Sequence, residues 1–155
     1  MVAFLALSIV LPAYSERALF FEAQMEITGF VFVGVVEGGF RFDVSFVGVA
    51  GGPLITDGVI EGVDYLLVDW QGSRHLGAVA TITDGVGDMI FVCTSGLSVP
   101  QNPGLTVFED YQITVTGATG KYQTLIGLTL RGEGFISDLS MDPPGGTIHS
   151  KGYLV

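Results

Sequence analysis

From Ala18 to the C-terminus, apolar residues recur at every second position, and glycine- or proline-containing breaks interrupt them roughly every 8–12 residues. Alternation of this kind belongs to strands, which send successive side chains to opposite faces; a helix needs apolar residues three and four apart. Phe21, Ala23, Met25 and Ile27 alternate with Glu22, Gln24 and Glu26, and Phe40, Phe42, Val44 and Phe46 with Arg41, Asp43 and Ser45. Leu76, Ala78, Ala80 and Ile82 share one face of Arg74 to Thr83. Further strands are expected at Asp64 to Trp70, Met89 to Ser95, Val107 to Thr116, Leu128 to Ile136 and Thr147 to Val155. Phe30 to Val36 is apolar on both faces, which predicts a strand covered on both sides.

The breaks fall at Gly38-Gly39, Gly51-Gly52-Pro53, Asp57-Gly58, Gln71-Gly72-Ser73, Asp84 to Asp88, Gly117 to Gly120 and Pro143 to Gly146. Pro100, Asn102, Pro103 and Gly104 mark the longest expected loop, and Lys121 to Gly127 is long enough for one helical turn. No amphipathic helix is long enough for a crossover between parallel strands. With no repeat or linker, the pattern predicts one all-β domain over 19–155, a single closed antiparallel β-barrel of about eight strands, calycin-like, with glycines relieving crowding at the bends. A barrel of that size holds one small ligand in its lumen or is filled by its own side chains.

Composition narrows the partners. Lys and Arg number 6 against 16 Asp and Glu, a net charge of −10. Scattered cations do not neutralise a phosphate backbone, and an anionic membrane surface repels such a chain, so neither is an expected partner. An apolar share of 48% excludes disorder. Cys93 is the single cysteine, so no internal disulfide forms, and no zinc spacing is present. Asp84 and Asp88 lack the twelve-residue loop and closing Glu of a calcium site and read as a hairpin turn. Gly132-Glu133-Gly134 lacks a third glycine and a following helix, so no dinucleotide fingerprint is present. No metal site and no cofactor are expected.

Met1 to Leu11 is apolar apart from Ser8 and closes at Pro12. It is shorter than the ~20 residues that span a bilayer. Residues 1–18 are read as a retained arm covering a barrel end or subunit contact, as a signal peptide with small residues at Ala13 and Ser15 but no basic start, or, third, as a peripheral membrane anchor. The first reading leans intracellular; the second makes the protein secreted.

Few polar groups are placed to act inside a barrel. Arg131 and Glu133 lie two apart on a glycine-spaced strand, where a guanidinium would polarise a carbonyl and the carboxylate would orient it or exchange a proton. The competing reading is an exposed ion pair. Asp69 shares a face with Tyr65 and Leu67, opposite Asp64, Leu66, Val68 and Trp70; on the lumen side it is a proton shuttle, otherwise a solvated strand-end aspartate. Tyr65, Tyr122, His75, Phe42 and Phe91 are the expected substrate-binding residues. His75 and His149 have no ligand spacing and are not expected to share a metal.

Gly52-Pro53-Leu54, Asp57-Gly58-Val59, Gly62 to Val68 and Asp84 to Gly96 set a cadence of turns, continued by Lys121-Tyr122-Gln123-Thr124-Leu125, Gly132-Glu133-Gly134 and Gly146 to Val155. The cadence resembles the domain-of-unknown-function family numbered three-two-three-seven, small barrels of the allene oxide cyclase type. Thr116 to Tyr122 is similar to a turn of allene oxide cyclases and dirigent proteins. The resemblance covers about Leu19 to Val155 and implies a barrel with a ligand-sized lumen. The acid and base common in such relatives fall at Gly77 and Val79, their Asn-Arg pair at Ile126-Gly127, and their Trp at Tyr65.

The functional expectation is a cofactor-free cyclase or isomerase, in its simplest form a pericyclase, acting on a hydrophobic natural-product intermediate held in the lumen. The alternatives are a carrier of a small apolar ligand and a structural barrel with a filled lumen. Strands apolar on both faces add the expectation of a homo-oligomer.

Overall fold

The computed structural model describes residues 17–155; the arm or signal peptide expected at the N-terminus lies outside the described residues, apart from its last two positions. Nine strands follow in order: β1 (Leu19–Val36), β2 (Gly39–Gly51), β3 (Gly58–Asp69), β4 (Arg74–Leu76), β5 (Ala78–Thr83), β6 (Met89–Asn102), β7 (Leu105–Ala118), β8 (Thr129–Met141) and β9 (Pro144–Tyr153). A 3-10 helix at Gly120–Leu125 joins β7 to β8, where one helical turn is expected. Every pairing is antiparallel, and β9 returns to β1 from Leu19↔Tyr153 to Glu26↔Thr147, closing the sheet. β4 and β5 both lie between β3 and β6 and are parted at Gly77, so they form two halves of one position in the ring. The result is the closed barrel of eight strand positions that the alternation predicts.

Two segments differ from their expectation for the same reason. β6 and β7 run through the region expected to be the longest loop and leave only Pro103-Gly104 as a turn, with Gly104 at φ +88°. Pro100 is tolerated in β6 because the strand has outrun β4 there and has a neighbour on one side alone. β1 likewise outruns β9 beyond Glu26 and continues with only β2 beside it. Among the described residues nothing covers the far part of β1, where Val31, Val33 and Val35 are all at least half exposed.

One end of the barrel is plugged. The loop between β2 and β3 buries Ile55 and bonds to itself through Gly52 and Ile55. The 3-10 helix meets this loop through Tyr122, whose single hydroxyl proton lies between two acceptors, the Leu54 carbonyl at 3.0 Å and Asp84 Oδ2 at 2.8 Å. Lys121 Nζ reaches the same oxygen at 3.0 Å, and the amides of Val86 and Asp88 donate to Asp84 Oδ1 at 3.0 Å. Burial alone would raise the Asp84 carboxyl; Lys121, Tyr122 and the two amides outweigh it and hold the group well below the carboxylate range. The Asp84 hairpin is therefore a turn, as expected, and also the anchor of the plug.

Inward glycines set the shape of the lumen. A Cβ on Gly132 would collide with the Tyr111 ring, one on Gly134 would lie 2.7 Å from Phe108, and one on Gly62 2.8 Å from Phe46. Each ring occupies the space that a side chain would fill on the neighbouring strand. Replacing Gly132 with Ala should force Tyr111 out of place and cost about 1–3 kcal/mol, the usual range for overpacking, in urea unfolding. Replacing the adjacent exposed Arg131 with Met should change stability by less than about 0.5 kcal/mol.

Candidate functional site

The other end is open onto a cavity of about 370 Å³ that runs down the barrel axis. Phe30, Phe32, Phe40 and Phe42 form its aromatic upper wall, with ring centroids 5.2 Å apart for Phe32–Phe42 and 5.5 Å for Phe30–Phe42. Trp70 stands edge-on against Phe40 at 5.2 Å, on the rim. Deeper, Met25, Ile27, Ile60, Val92 and Ile113 make the wall aliphatic. The polar side chains that line this space are Asp64, Arg74, Thr94, Ser98, Tyr111 and Ser150.

Asp64 enters the lumen because β3 continues the inward face of Ile60 and Gly62 through Leu66 and Val68. The break between β4 and β5 turns two amides toward side chains: Gly77 N–H donates to Asp64 Oδ1 at 2.9 Å, and Ala78 N–H to Thr94 Oγ1 at 3.1 Å. Burial pushes the Asp64 carboxyl up from 3.8 to about 6; the Gly77 bond lowers it in part, and the Asp43 charge on the neighbouring strand raises it slightly. The group therefore changes charge near neutral pH.

Tyr111 reaches the lumen through a bulge. Asp110 takes φ +49°, and the β7–β8 register shifts between Val107 and Gln112, so Phe108 and Tyr111 both point inward although three residues apart. The Tyr111 hydroxyl lies 3.2 Å from Ser150 Oγ. Burial pushes the phenol up to about 12, the Ser150 bond pulls it back in part, and the Asp64 charge adds a smaller rise. Tyr111 thus stays a hydrogen-bond donor across the physiological range.

The residues expected to be catalytic lie elsewhere. Arg131 and Glu133 are on the outer face, because Gly132 and Gly134 between them take the inner one; Glu133 meets Arg17 at 3.4 Å in an exposed pair. Asp69 sits at the outer end of β3, accepting from the amides of Gln71 and Ser73 at 3.0 and 2.9 Å. Its Oδ2 is 2.8 Å from His75 Nε2, and chiefly this bond, helped by the two amides, holds its carboxyl below the usual range. Tyr65, on the same outer face, lies under the Arg41 guanidinium at 4.4 Å, and Phe91 is also outside. Tyr122 is committed to the plug, with Asp84 and Leu54 as its partners. Of the expected substrate-binding residues, Phe42 lines the cavity.

The lumen side of β3 is the face opposite Asp69, and Asp64 is its carboxylate. The signal was the unbroken inward run Ile60, Gly62, Asp64, Leu66, Val68, in which a glycine stands where Phe46 needs room. Tyr111, Ser150, Thr94, Ser98 and Arg74 carried no comparable signal.

No family model matches this chain, and no curated protein does. Solved structures do. A conserved protein of unknown function from Rhodopseudomonas palustris shares 16% identity over 90% of this chain and 97% of its own, with a TM-score of 0.62. A β-barrel-like protein from Acinetobacter baumannii shares 14% over 90% and 96%, with a TM-score of 0.65. A protein with unknown function from Clostridium acetobutylicum shares 16% over 88% and 97%, with a TM-score of 0.55. At such identities the likeness is one of fold: this chain is built like these small barrels.

The Asp64 environment has a measurable consequence. An acid whose pKa is raised on folding binds its proton more tightly in the native state, so stability falls as pH rises from about 4 to about 6 and stays lowered above that. A rise of this size corresponds to about 3 kcal/mol at most. Asp64→Asn keeps an acceptor for the Gly77 amide and removes the charge. In paired urea titrations, the variant should match the wild type near pH 3.5 and exceed it by about 2–3 kcal/mol at pH 8. A constant offset between the two at all pH values would contradict this account.

Proposed function

We propose that this protein is a cofactor-free isomerase or cyclase that takes a small hydrophobic molecule into the lumen and moves a proton on it with Asp64. The observation that carries the reading is a carboxyl poised near neutrality in a mostly apolar cavity of ligand size, which a protonated phenol also lines from a different strand. On a substrate with an enolisable carbonyl, Asp64 takes the proton from the adjacent carbon, the C–H electron pair becomes the C=C bond of an enolate, and the C=O π pair moves onto the carbonyl oxygen. The Tyr111 hydroxyl hydrogen-bonds to that oxygen, where burial strengthens it. Return of the proton at another carbon gives an isomer; attack of the enolate carbon on a second carbonyl of the folded substrate gives a ring, the π pair of that carbonyl moving onto its oxygen, which takes the proton back from Asp64. The aromatic walls hold the substrate in one conformation and limit water, which lowers the barrier further.

The mostly apolar wall supports a second reading, a carrier without chemistry, and a pericyclic closure would draw on shape alone. One experiment separates them. A small-molecule extract of the producing cells is incubated with the protein in D₂O and followed by mass spectrometry, with Asp64→Asn beside it. The proton-transfer reading expects an isomeric product carrying one deuterium, reduced at least about 100-fold in the variant. Its rate should rise with pH through about 6, as Asp64 loses its proton. A product without deuterium that survives in Asp64→Asn favours the pericyclase, and a retained molecule without any product favours the carrier. No retained molecule from any extract removes the ligand-holding lumen altogether.

Membership of the family numbered three-two-three-seven remains part of this reading, supported by the turn cadence and the barrel. We further propose a homo-oligomer. Val47, Val49, Val59 and Val79 are exposed on the barrel exterior, and Val31, Val33 and Val35 on the free part of β1 add to the apolar surface. Light scattering should give a multiple of the chain mass at micromolar concentration; a monomer there would reject the assembly.

A further inference from the structure

We infer that Arg74 reads the head of the ligand, so that the cavity selects an apolar molecule carrying one anionic oxygen group, such as a carboxylate or an acidic enol, at the end nearer the mouth. The inference rests on the reading of the lumen as a ligand site and adds the ligand's polarity and orientation.

Cations are scarce in this chain, 6 against 16 acids, and most are engaged. Arg17 meets Glu133, Arg41 meets Asp43, Lys121 meets Asp84, and Lys151 approaches Glu22 at 3.9 Å. Among the described residues, Arg74 and Arg131 have no carboxylate within 4.0 Å. Arg131 is on the outer surface. Arg74 is half-buried and lines the cavity, the only cation that does so among the described residues. A guanidinium is a fork of donors suited to two oxygens of one anion, and among the described residues no carboxylate takes that fork.

Its height in the barrel orients the ligand. Arg74 pairs across from Val68, four residues toward the mouth from Asp64 on β3. At about 3.3 Å per residue the two backbone positions lie roughly 13 Å apart along the strand. The anionic head therefore sits near the rim, beside Phe40 and Val68, and the apolar body extends inward past Asp64 and Tyr111. An anion placed at Asp64 instead would face a carboxylate, and among the described residues the lumen offers it no second cation. Steering fits as well: the chain's overall charge of −10 would repel an acid, and a cation at the entrance is what offsets that repulsion locally.

The test uses defined probes. The neutral fluorophore N-phenyl-1-naphthylamine reports on the lumen, with energy transfer from Trp70 at the rim, the single tryptophan. Decanoate and decanol, which share the chain and differ in the head, compete it off wild type, Arg74→Met and Arg74→Lys at pH 8. The expected result is at least tenfold preference for decanoate in the wild type, lost in Arg74→Met and kept in reduced form in Arg74→Lys. Decanol and the fluorophore should bind all three alike, which also shows that the variants are folded. The decanoate preference should shrink as salt is raised. Equal binding of decanoate and decanol by the wild type, or a preference that survives in Arg74→Met, overturns the role of Arg74 while leaving the lumen site standing. Failure of the fluorophore and both competitors to bind the wild type overturns the lumen site and this inference with it.

Discussion

Aromatic rings laid over glycines on neighbouring strands determine the interior of this barrel. Tyr111 against Gly132, Phe108 against Gly134 and Phe46 against Gly62 fill the inner layer without a second side chain at each place. Because side chains alternate strictly along a strand, each inward glycine also fixes which neighbours face out: Arg131 and Glu133 are exterior as a direct result. The same packing leaves the lumen narrow where rings cross it and open above, where Phe30, Phe32, Phe40 and Phe42 stand along the wall.

The fold was legible in the sequence because its two main signals are local. Period-two alternation and glycine breaks place strands without reference to any partner, and the absence of a long amphipathic helix leaves antiparallel pairing as the outcome. The site was less legible because alternation divides a strand into two faces without saying which is inside. Asp64 and Asp69 lie on opposite faces of β3, and the choice depends on neighbouring strands: a Cβ at Gly62 would meet the Val79 carbonyl of β5 as well as the Phe46 ring of β2. Tyr111 was hidden by a different cause. A backbone in the left-handed region at Asp110 inserts a residue, so counting by twos from Phe108 sends the tyrosine to the wrong side. His75 shows the converse: a histidine near an aspartate in the chain does pair with it, but outside the lumen, where the pair closes a turn.

Two carboxylates withdrawn from solvent, half-buried Asp64 and buried Asp84, show how placement divides structural from chemical work. Asp84 is surrounded by donors, Lys121, Tyr122 and two amides, so its charge is held and it locks the plug. Asp64 receives one amide, from Gly77, and otherwise meets hydrocarbon and cavity. Both pay a desolvation cost, and only Asp84 recovers it from the protein. The native fold therefore maintains at Asp64 an ionisable group that it does not fully solvate, within a barrel whose remaining lumen is almost entirely apolar.

The cavity itself is a similar imbalance. An open apolar lumen of about 370 Å³ leaves its lining without the packing partners that a filled core would supply. Rotating the upper phenylalanines inward would reduce that volume, yet they pack on one another and on Trp70 along the wall. Solvent entering a lumen open at one end would meet a mostly apolar wall. Replacing that water with the body of an apolar ligand returns the hydrophobic free energy that folding left unused, at roughly 25 cal/mol per Å² of surface covered. The same replacement removes solvent from Asp64 and Tyr111, so binding itself would sharpen the proton-transfer chemistry proposed for them.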